Sequence, residues 1–191
     1  GLRAFYLYLR KKGHTTINPF TGLSLPKLDR PLPKFLSKSQ MNSLLNTPVL
    51  LWKDGKIGEF EAFRDSLVLE LLYGGGLRVS ELCALTHKHI DVLQGVARVL
   101  GKGRKERLVP VGEMAQDALE HYIEHVRPLF FNPKKADKAK NKVFLNQRGG
   151  ALSRMSVWNI VQKAARDANI TKSVYPHIFR HSFATHLLEG G

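Results

Sequence analysis

The sequence predicts a mainly α-helical chain that carries one small antiparallel sheet. Apolar residues recur at helical spacing along most of the 191 residues. Two β-type segments, 96–100 and 108–111, flank a turn-rich stretch with two glycines, which predicts a hairpin. Hydrophobic residues make up 43% of the chain, a normal share for a protein with a packed core. The fold class is therefore α+β, dominated by helices.

The first 34 residues predict a helix followed by a linker. Apolar side chains line one side of a helix over 2–10, and the lysines and glycine of 11–13 end it. Four prolines then interrupt residues 14–34 and stiffen the chain. We expect 1–13 to be the last helix of a truncated preceding domain, 14–34 to be a linker, and 35–191 to form the main domain.

The main domain predicts a series of helices around the hairpin. Ser37 and Gln40 stand at capping-box spacing before an apolar run. Phe60, Phe63, Leu67 and their successors predict an amphipathic helix over about 59–73, which the glycines at 74–76 stop. Further along, we expect a short helix over 79–85 and a helix over 113–128 that Pro128 ends. A solvated lysine-rich loop over 132–142 and a short strand over 143–145 should follow. The chain should then form a helix from Ser153 to about 169 and a last helix after Pro176.

Charge and cysteine content narrow the class of protein. Thirty Lys and Arg against 16 Asp and Glu leave a net charge of +14, which predicts an anionic partner, nucleic acid rather than an acidic membrane surface. The one cysteine, Cys83, excludes an internal disulfide and a Cys-rich zinc site, and its apolar neighbours predict a buried thiol. No apolar stretch approaches the roughly 20 residues that span a bilayer. We expect a reducing, intracellular compartment.

Arg78 follows a glycine run at the predicted start of a helix. A guanidinium there can bind a phosphate. Glu81, three residues on, shares the helical face and can orient Arg78. The alternative is a surface ion pair after a flexible loop.

Basic residues also crowd the tip of the predicted hairpin. Lys102, between two glycines, is suited to reach a DNA groove and to act as a general acid toward an alkoxide leaving group. Arg104, Lys105 and Arg107 follow as candidate phosphate contacts. The alternative for Lys102 is an ordinary solvated turn lysine.

The last predicted helix carries a third candidate element. His177 and Arg180 are three residues apart and share a helical face, so they can converge on one phosphate. His181 and His186 lie off that face, and we expect them to be structural or solvent-facing. A further pattern, HYIEH at 121–125, matches that of inverted zinc peptidases. We favour an ordinary amphipathic helix there, because the pattern is short and the charge of the chain suits DNA better.

The three elements together resemble the catalytic domain of the tyrosine recombinases, the integrase family, and most closely its Xer branch. GLRVSEL at 76–82 resembles the first arginine box of that family, and GKGRKERLVP at 101–110 resembles its hairpin with the catalytic lysine. HIFRHSFAT at 177–185 resembles its His-x-x-Arg box. The order of the motifs agrees, and the similarity covers nearly all of 33–191.

The resemblance implies a reaction and a set of roles. In this family a tyrosine attacks a DNA phosphodiester, forms a 3′-phosphotyrosyl link and frees a 5′-hydroxyl, with neither metal nor ATP as cofactor. By resemblance, Arg78 and Arg180 clamp the scissile phosphate, Lys102 protonates the leaving oxygen, His177 assists proton transfer and Glu81 supports the site. The implied partners are double-stranded DNA, other recombinase subunits in a tetramer on DNA, and a cell-division DNA translocase, in the bacterial cytoplasm during chromosome segregation.

One departure from the family pattern concerns the nucleophile. The family places a further His or Trp and then the attacking Tyr beyond the His-x-x-Arg helix. The five tyrosines here, at positions 6, 8, 73, 122 and 175, all precede His177. We therefore expect these 191 residues to bind DNA without cleaving it. The alternatives to a Xer-type recombinase are a phage or transposon integrase and a catalytically inactive DNA-binding relative.

Overall fold

A computed structural model describes residues 1–23, 35–101, 105–135 and 139–190. The chain divides into two compact units, Gly1–Leu32 and Pro33–Gly191. In the first unit, helix α1 (Leu2–Lys11) precedes a turn where the Phe20 ring packs 5.4 Å from that of Tyr6, measured between ring centres. That this part of the chain ends a separate domain stays a prediction.

The second unit is helical and carries one small sheet, so the predicted fold class is confirmed. In its described part, strands β1 (Ile90–Asp91), β2 (Val96–Leu100) and β3 (Glu106–Pro110) form an antiparallel sheet in the order β1-β2-β3. Strands β2 and β3 are the predicted hairpin, with Val99 opposite Arg107. The helices are α2 (Lys38–Lys53), α3 (Glu59–Tyr73), α4 (Val79–Ala84), α5 (Glu113–His121), α6 (Arg127–Phe130), α7 (Arg154–Asp167) and α8 (Pro176–Glu189).

Helix α3 lies at the centre of this unit. Its bounds agree with the prediction, but the prediction that it is amphipathic is wrong, because nine of its 15 residues are buried. α2, α5, α7 and α8 all pack against it, so apolar residues are needed around the whole helix. The capping box that begins α2 is confirmed: Gln40 N donates to Ser37 Oγ at 3.2 Å, and Ser37 N donates to Gln40 Oε1 at 3.1 Å.

The helix predicted over 113–128 does not end at Pro128. After α5 the backbone widens into a π-helical turn, Tyr122–Val126, and Pro128 lies inside the short helix α6 that follows. Proline has no N–H, and its ring would collide with the Glu124 carbonyl in a regular α-helix. Arg127 N donates to the Tyr122 carbonyl, five residues back, as in a π-helix, and the chain continues as helix.

Of two further predictions between α6 and α7, the strand is wrong and the solvated loop holds for most of its described residues. Residues 143–145 are buried, but in the described residues they form no strand, and Leu145 makes one isolated bridge, to Ala151. In the predicted solvated loop 132–142, residues 133–135, 140 and 141 are exposed as expected, but Ala139 is fully buried and Lys142 Nζ donates to the Ala84 carbonyl at 3.0 Å. A short apolar run predicts burial more reliably than it predicts strand pairing. What a lysine-rich loop packs against depends on long-range contacts.

The buried Arg127 side chain holds this irregular region in place. Its Nε and Nη2 atoms donate to main-chain carbonyls at 2.9–3.2 Å, and the side chain lies beside the Phe131 ring. The residue is 7% exposed. The guanidinium thereby satisfies carbonyl groups that regular structure leaves without donors, those of Ala139, Lys140, Lys142 and Val143. Among the described residues, no helix is both long and apolar enough to cross a membrane.

Candidate active site

The turn between α3 and α4 places Arg78 at the surface. Gly76 has φ +53°, a left-handed conformation that glycine adopts without the steric cost of a side chain. Leu77 is then buried in the core at 1% exposure, and Arg78 occupies the position just before α4 with 44% of its side chain exposed. The buried leucine anchors the turn, while its neighbour faces solvent.

Helix α8 brings Arg180 to the same turn. Its inner face packs into the core through Ile178, Phe179 and Ser182, whereas His177 and Arg180 are exposed on the outer face. Arg180 Nη1 donates to the Gly76 carbonyl at 2.7 Å, two residues before Arg78. The structure therefore brings both predicted arginines to one turn. Within the described residues Arg180 makes no other hydrogen bond, so most of its guanidinium donors can face a ligand.

The Glu81 carboxylate lies between two guanidinium groups. Its Oε2 accepts from Arg78 N at 2.8 Å and from Arg107 Nη2 at 2.9 Å, and its Oε1 accepts from Nη1 of each arginine at 2.8 Å. The Glu81 side chain is only 4% exposed. Burial alone would raise the pKa of Glu81, but the hydrogen bonds from Arg107 and Arg78 outweigh it and lower this pKa from 4.5 to about 2. The carboxylate is charged at every physiological pH.

The hairpin residues divide into two groups. Lys102 and Arg104 lie outside the described residues, so their predicted roles stay predictions. Lys105 is exposed, and its carbonyl accepts from Gly101 N at 2.8 Å at the base of the loop. Arg107 was predicted as a DNA contact from its sequence neighbours. The structure places its guanidinium against Glu81, a pairing that no local sequence signal indicated.

Two histidines of α8 outside the predicted pair differ in their surroundings. His181 is exposed, in line with the expectation of a solvent-facing residue. His186 is buried, and its Nδ1 lies 2.9 Å from the Tyr73 hydroxyl, while its Nε2 has no hydrogen-bond partner among the described residues. The Tyr73 contact joins α8 to the end of α3, next to the turn that Arg180 contacts. Sequence reasoning missed this contact because 113 residues separate the pair.

The structure gives no support to a zinc site at 121–125. His121 belongs to α5, whereas Glu124 and His125 lie in the π-helical turn, and the centres of the two histidine rings are 5.3 Å apart. His121 Nε2 lies 3.4 Å from Glu59 Oε1. In the part of the chain that the structure describes, no three His, Cys, Asp or Glu side chains are grouped so that they could hold a metal ion.

The cluster has an excess of positive charge on an open surface. Arg78, Arg107 and Arg180 outnumber the one carboxylate of Glu81. A fixed set of guanidinium donors of this kind can bind a phosphate group and stabilise charge that develops on its oxygens. A groove of about 980 Å³ between α2, α3 and α5 is lined mainly by apolar groups, and Arg78 and Arg180 do not line it. The arginines therefore suit a large anionic surface rather than a small molecule in a cavity.

Comparison with known protein families identifies the family of this chain. A family model described as "Phage integrase family" matches residues 34–191. The chain belongs to this family. The match contains all three predicted motifs and most of the chain, so the resemblance inferred from the sequence is confirmed.

The integrase-family relatives are named recombinases. The chain is 44% identical over 190 residues to "Tyrosine recombinase XerD" of Chlorobaculum tepidum, covering all of this chain and 60% of that protein. It is 38% identical over 199 residues to "Tyrosine recombinase XerC" of Chlorobaculum parvum, covering 59% of that protein. The chain thus spans about 60% of the length of these relatives.

A solved integrase structure shares the fold. The Tn1549 transposon integrase, in complex with a circular intermediate DNA, superposes with a TM-score of 0.73. The superposition covers 99% of this chain and 64% of that one, at 24% sequence identity. At this identity the likeness concerns the fold. It supports the tyrosine-recombinase catalytic-domain fold for the unit that carries the arginine cluster.

Proposed function

We propose that this chain provides the phosphate-binding part of a site-specific DNA recombinase of the Xer type. One observation carries the proposal: Arg180 Nη1 is bonded to the Gly76 carbonyl, so that residues 104 positions apart meet at the turn that presents Arg78. Membership of the integrase family and relatives named tyrosine recombinases support it. The proposed reaction cleaves and rejoins DNA strands through a 3′-phosphotyrosyl intermediate.

Each predicted residue has a role in this proposal. Arg78 and Arg180 clamp the scissile phosphate and meet the charge that develops on its oxygens. As the tyrosine oxygen bonds to phosphorus, the bond to the 5′-oxygen breaks, and Lys102 gives that oxygen a proton. His177, at the exposed face of α8, assists proton transfer by accepting the proton that the tyrosine hydroxyl loses. The Glu81 carboxylate, held by two arginines, orients Arg78 toward the phosphate.

The attacking tyrosine of the proposed reaction is none of the five in this sequence. Tyr122 is fully buried, and its hydroxyl accepts from Leu145 N at 3.3 Å. The Tyr73 hydroxyl bonds His186, and the others precede the His-x-x-Arg box in the chain. The proposed nucleophile therefore has no counterpart among these five residues.

The proposal includes partners and a biological role. Double-stranded DNA is the substrate, further recombinase subunits form a tetramer on it, and a cell-division DNA translocase activates the complex. Chromosome dimer resolution in the bacterial cytoplasm is the role that Xer-type relatives suggest. A mobile-element integrase is the second candidate, because the matching family model is described as "Phage integrase family". A catalytically inactive DNA-binding relative is the third.

A binding experiment and a cleavage experiment test the proposal. The 191-residue chain is titrated against a labelled DNA duplex at several salt concentrations, as wild type and as Arg78→Met, Arg180→Met and Arg98→Met variants. We expect loss of Arg78 or Arg180 to weaken binding about 10-fold, the effect of losing one charge-assisted contact. Arg98, an exposed arginine on the hairpin, is the matched control.

The cleavage experiment uses the full-length protein. We expect a covalent protein–DNA adduct on the chromosomal recombination site of the host and none with Arg78→Met or Arg180→Met. An adduct only on mobile-element ends would favour the integrase alternative. The absence of an adduct on every site, with DNA binding intact, would favour the inactive relative.

A further inference from the structure

Arg107 lies on the inner face of the hairpin. Along β3 the side chains alternate, so that Glu106 and Leu108 are exposed, whereas Val109 is buried on the same side as Arg107. Only 35% of the Arg107 side chain is exposed. Its direction is therefore toward α4 and the core rather than toward solvent, unlike that of the exposed Arg98 on the neighbouring strand.

The contact of Arg107 with Glu81 is bidentate. Nη1 donates to Oε1 at 2.8 Å and Nη2 donates to Oε2 at 2.9 Å. Two parallel hydrogen bonds fix the plane of the carboxylate, which a single contact would leave free to rotate. The same two oxygens accept from the backbone and side chain of Arg78, so the plane fixed by Arg107 also fixes the direction of the Arg78 guanidinium.

Arg107 also lies at the base of the hairpin loop. Gly101 N donates to the Lys105 carbonyl at 2.8 Å and closes this loop. A Cβ placed on Gly101 would be 3.6 Å from Arg107 Nη1, so the guanidinium lies against the loop base. Lys102 is the next residue in the sequence. One side chain therefore contacts both the carboxylate that orients Arg78 and the start of the loop that contains the predicted proton donor.

We propose that Arg107 is a positioning residue of the phosphate-binding site, acting through Glu81 on Arg78, and that it is not a direct contact to DNA. The inference rests on the proposed function, since it assigns a role within the same site. It replaces the expectation, based on sequence neighbours alone, that Arg107 binds phosphate in the manner of Lys105. The geometry supports this role because the two Nη atoms of Arg107 are already bonded to Glu81.

The first test needs no activity. Carboxyl-carbon NMR on the 191-residue chain follows the titration of Glu81 in the wild type and in Arg107→Met, with Arg98→Met as the control. If Arg107 holds the carboxylate, Arg107→Met raises the titration midpoint of Glu81 by at least about one pH unit, while Arg98→Met leaves it unchanged. An unchanged midpoint in Arg107→Met would overturn the proposal.

The second test separates positioning from DNA contact. DNA affinity is measured against salt for Arg107→Met and Lys105→Met. A lost phosphate contact reduces the slope of log K against log salt concentration by about 0.9. We expect that reduction for Lys105→Met, and for Arg107→Met an affinity within about 3-fold of wild type with an unchanged slope. A reduction by about 0.9 in Arg107→Met would identify a direct contact and refute the positioning role.

The third test uses adduct formation at saturating DNA with the full gene product. We expect Arg107→Met and Arg107→Lys to slow the single-turnover rate by at least about 10-fold, because an ammonium keeps the charge but lacks the fork that fixes the carboxylate. In the double variant with Glu81→Gln, the rate should fall no further than in the slower single variant, as expected for residues that act as one unit. A wild-type rate in Arg107→Lys would contradict the proposal. A double variant whose loss of rate equals the product of the two single losses would contradict it as well.

The outcomes distinguish this proposal from the proposed function. If the wild type forms no adduct, the recombinase reaction is wrong, while the NMR and salt experiments still decide the role of Arg107. Urea unfolding of each variant identifies a loss of folding. If Arg107→Met does not fold, Arg107→Gln, which also removes the charge, supplies the same comparisons.

Discussion

The Glu81 carboxylate should make a pH-dependent contribution to stability. Glu81→Gln keeps the shape of this buried side chain and removes its charge. The folded-state pKa lies at about 2 and the ordinary value is 4.5. Because the folded-state pKa is the lower one, the charge stabilises the fold above pH 4.5, and this stabilisation is lost as the pH falls toward 2. The linkage between this pKa shift and folding makes the Glu81 charge contribute about 3 kcal/mol to the free energy of unfolding at pH 7. Solvent screening of the two partly exposed guanidinium groups reduces this contribution to about 2 kcal/mol.

The corresponding assay is urea unfolding of wild type and Glu81→Gln between pH 7 and pH 3. Less than half of this contribution remains at pH 3. The difference in unfolding free energy between wild type and Glu81→Gln should therefore shrink by about 1 kcal/mol between pH 7 and pH 3. Glu106→Gln is the control, because Glu106 is exposed and its Oε2 lies 3.8 Å from Arg98 Nη1. Its gap should stay small at every pH. A gap for Glu81→Gln that changes by less than about 0.3 kcal/mol over this range would refute the reasoning.

Two further predictions concern the irregular region between α6 and α7. Arg127→Met leaves several buried carbonyls without a donor and should lower the unfolding free energy by about 3–5 kcal/mol in urea titrations. A loss below about 1 kcal/mol would contradict this prediction. Gly149→Ala should cost at least about 2 kcal/mol, because Gly149 has φ +72° and an added Cβ would collide with the Phe130 carbonyl. Gly112→Ala is its control: an added Cβ there meets no atom within 4 Å, and the cost should stay below about 1 kcal/mol in the same titration.

The elements that sequence reasoning predicted well depend on local signals. The ends of α3, the hairpin, and the Ser153 cap of α7 follow from glycines, from alternation and from capping residues that lie within a few positions of one another. The failures involve non-local contacts. Residues 143–145 were expected to be a strand, and Pro128 was expected to end a helix, but the local pattern carried no information on the packing that decides both.

The candidate site was predicted in its residue types and only in part in its contacts. The Arg78–Glu81 pair has the spacing of one helical turn and is visible in the sequence. The Arg107–Glu81 contact spans 26 residues and depends on the register of β2 and β3. The alternation of side chains along β3 places Arg107 on the same side as Val109. This alternation is the one sequence signal that favours an inward-facing Arg107 side chain.

The sequence by itself determined the family and the helical fold class, and it named the arginines, lysine and histidine that are proposed to act on phosphate, because these follow from residue types at short spacing. Only the tertiary structure decided how these residues meet. The contact between Arg180 and Gly76 joins positions 104 residues apart, and the carboxylate of Glu81 is shared between a helix and a strand. Such contacts depend on helix packing and strand register, and these result from burial of the whole core rather than from any local run of residues.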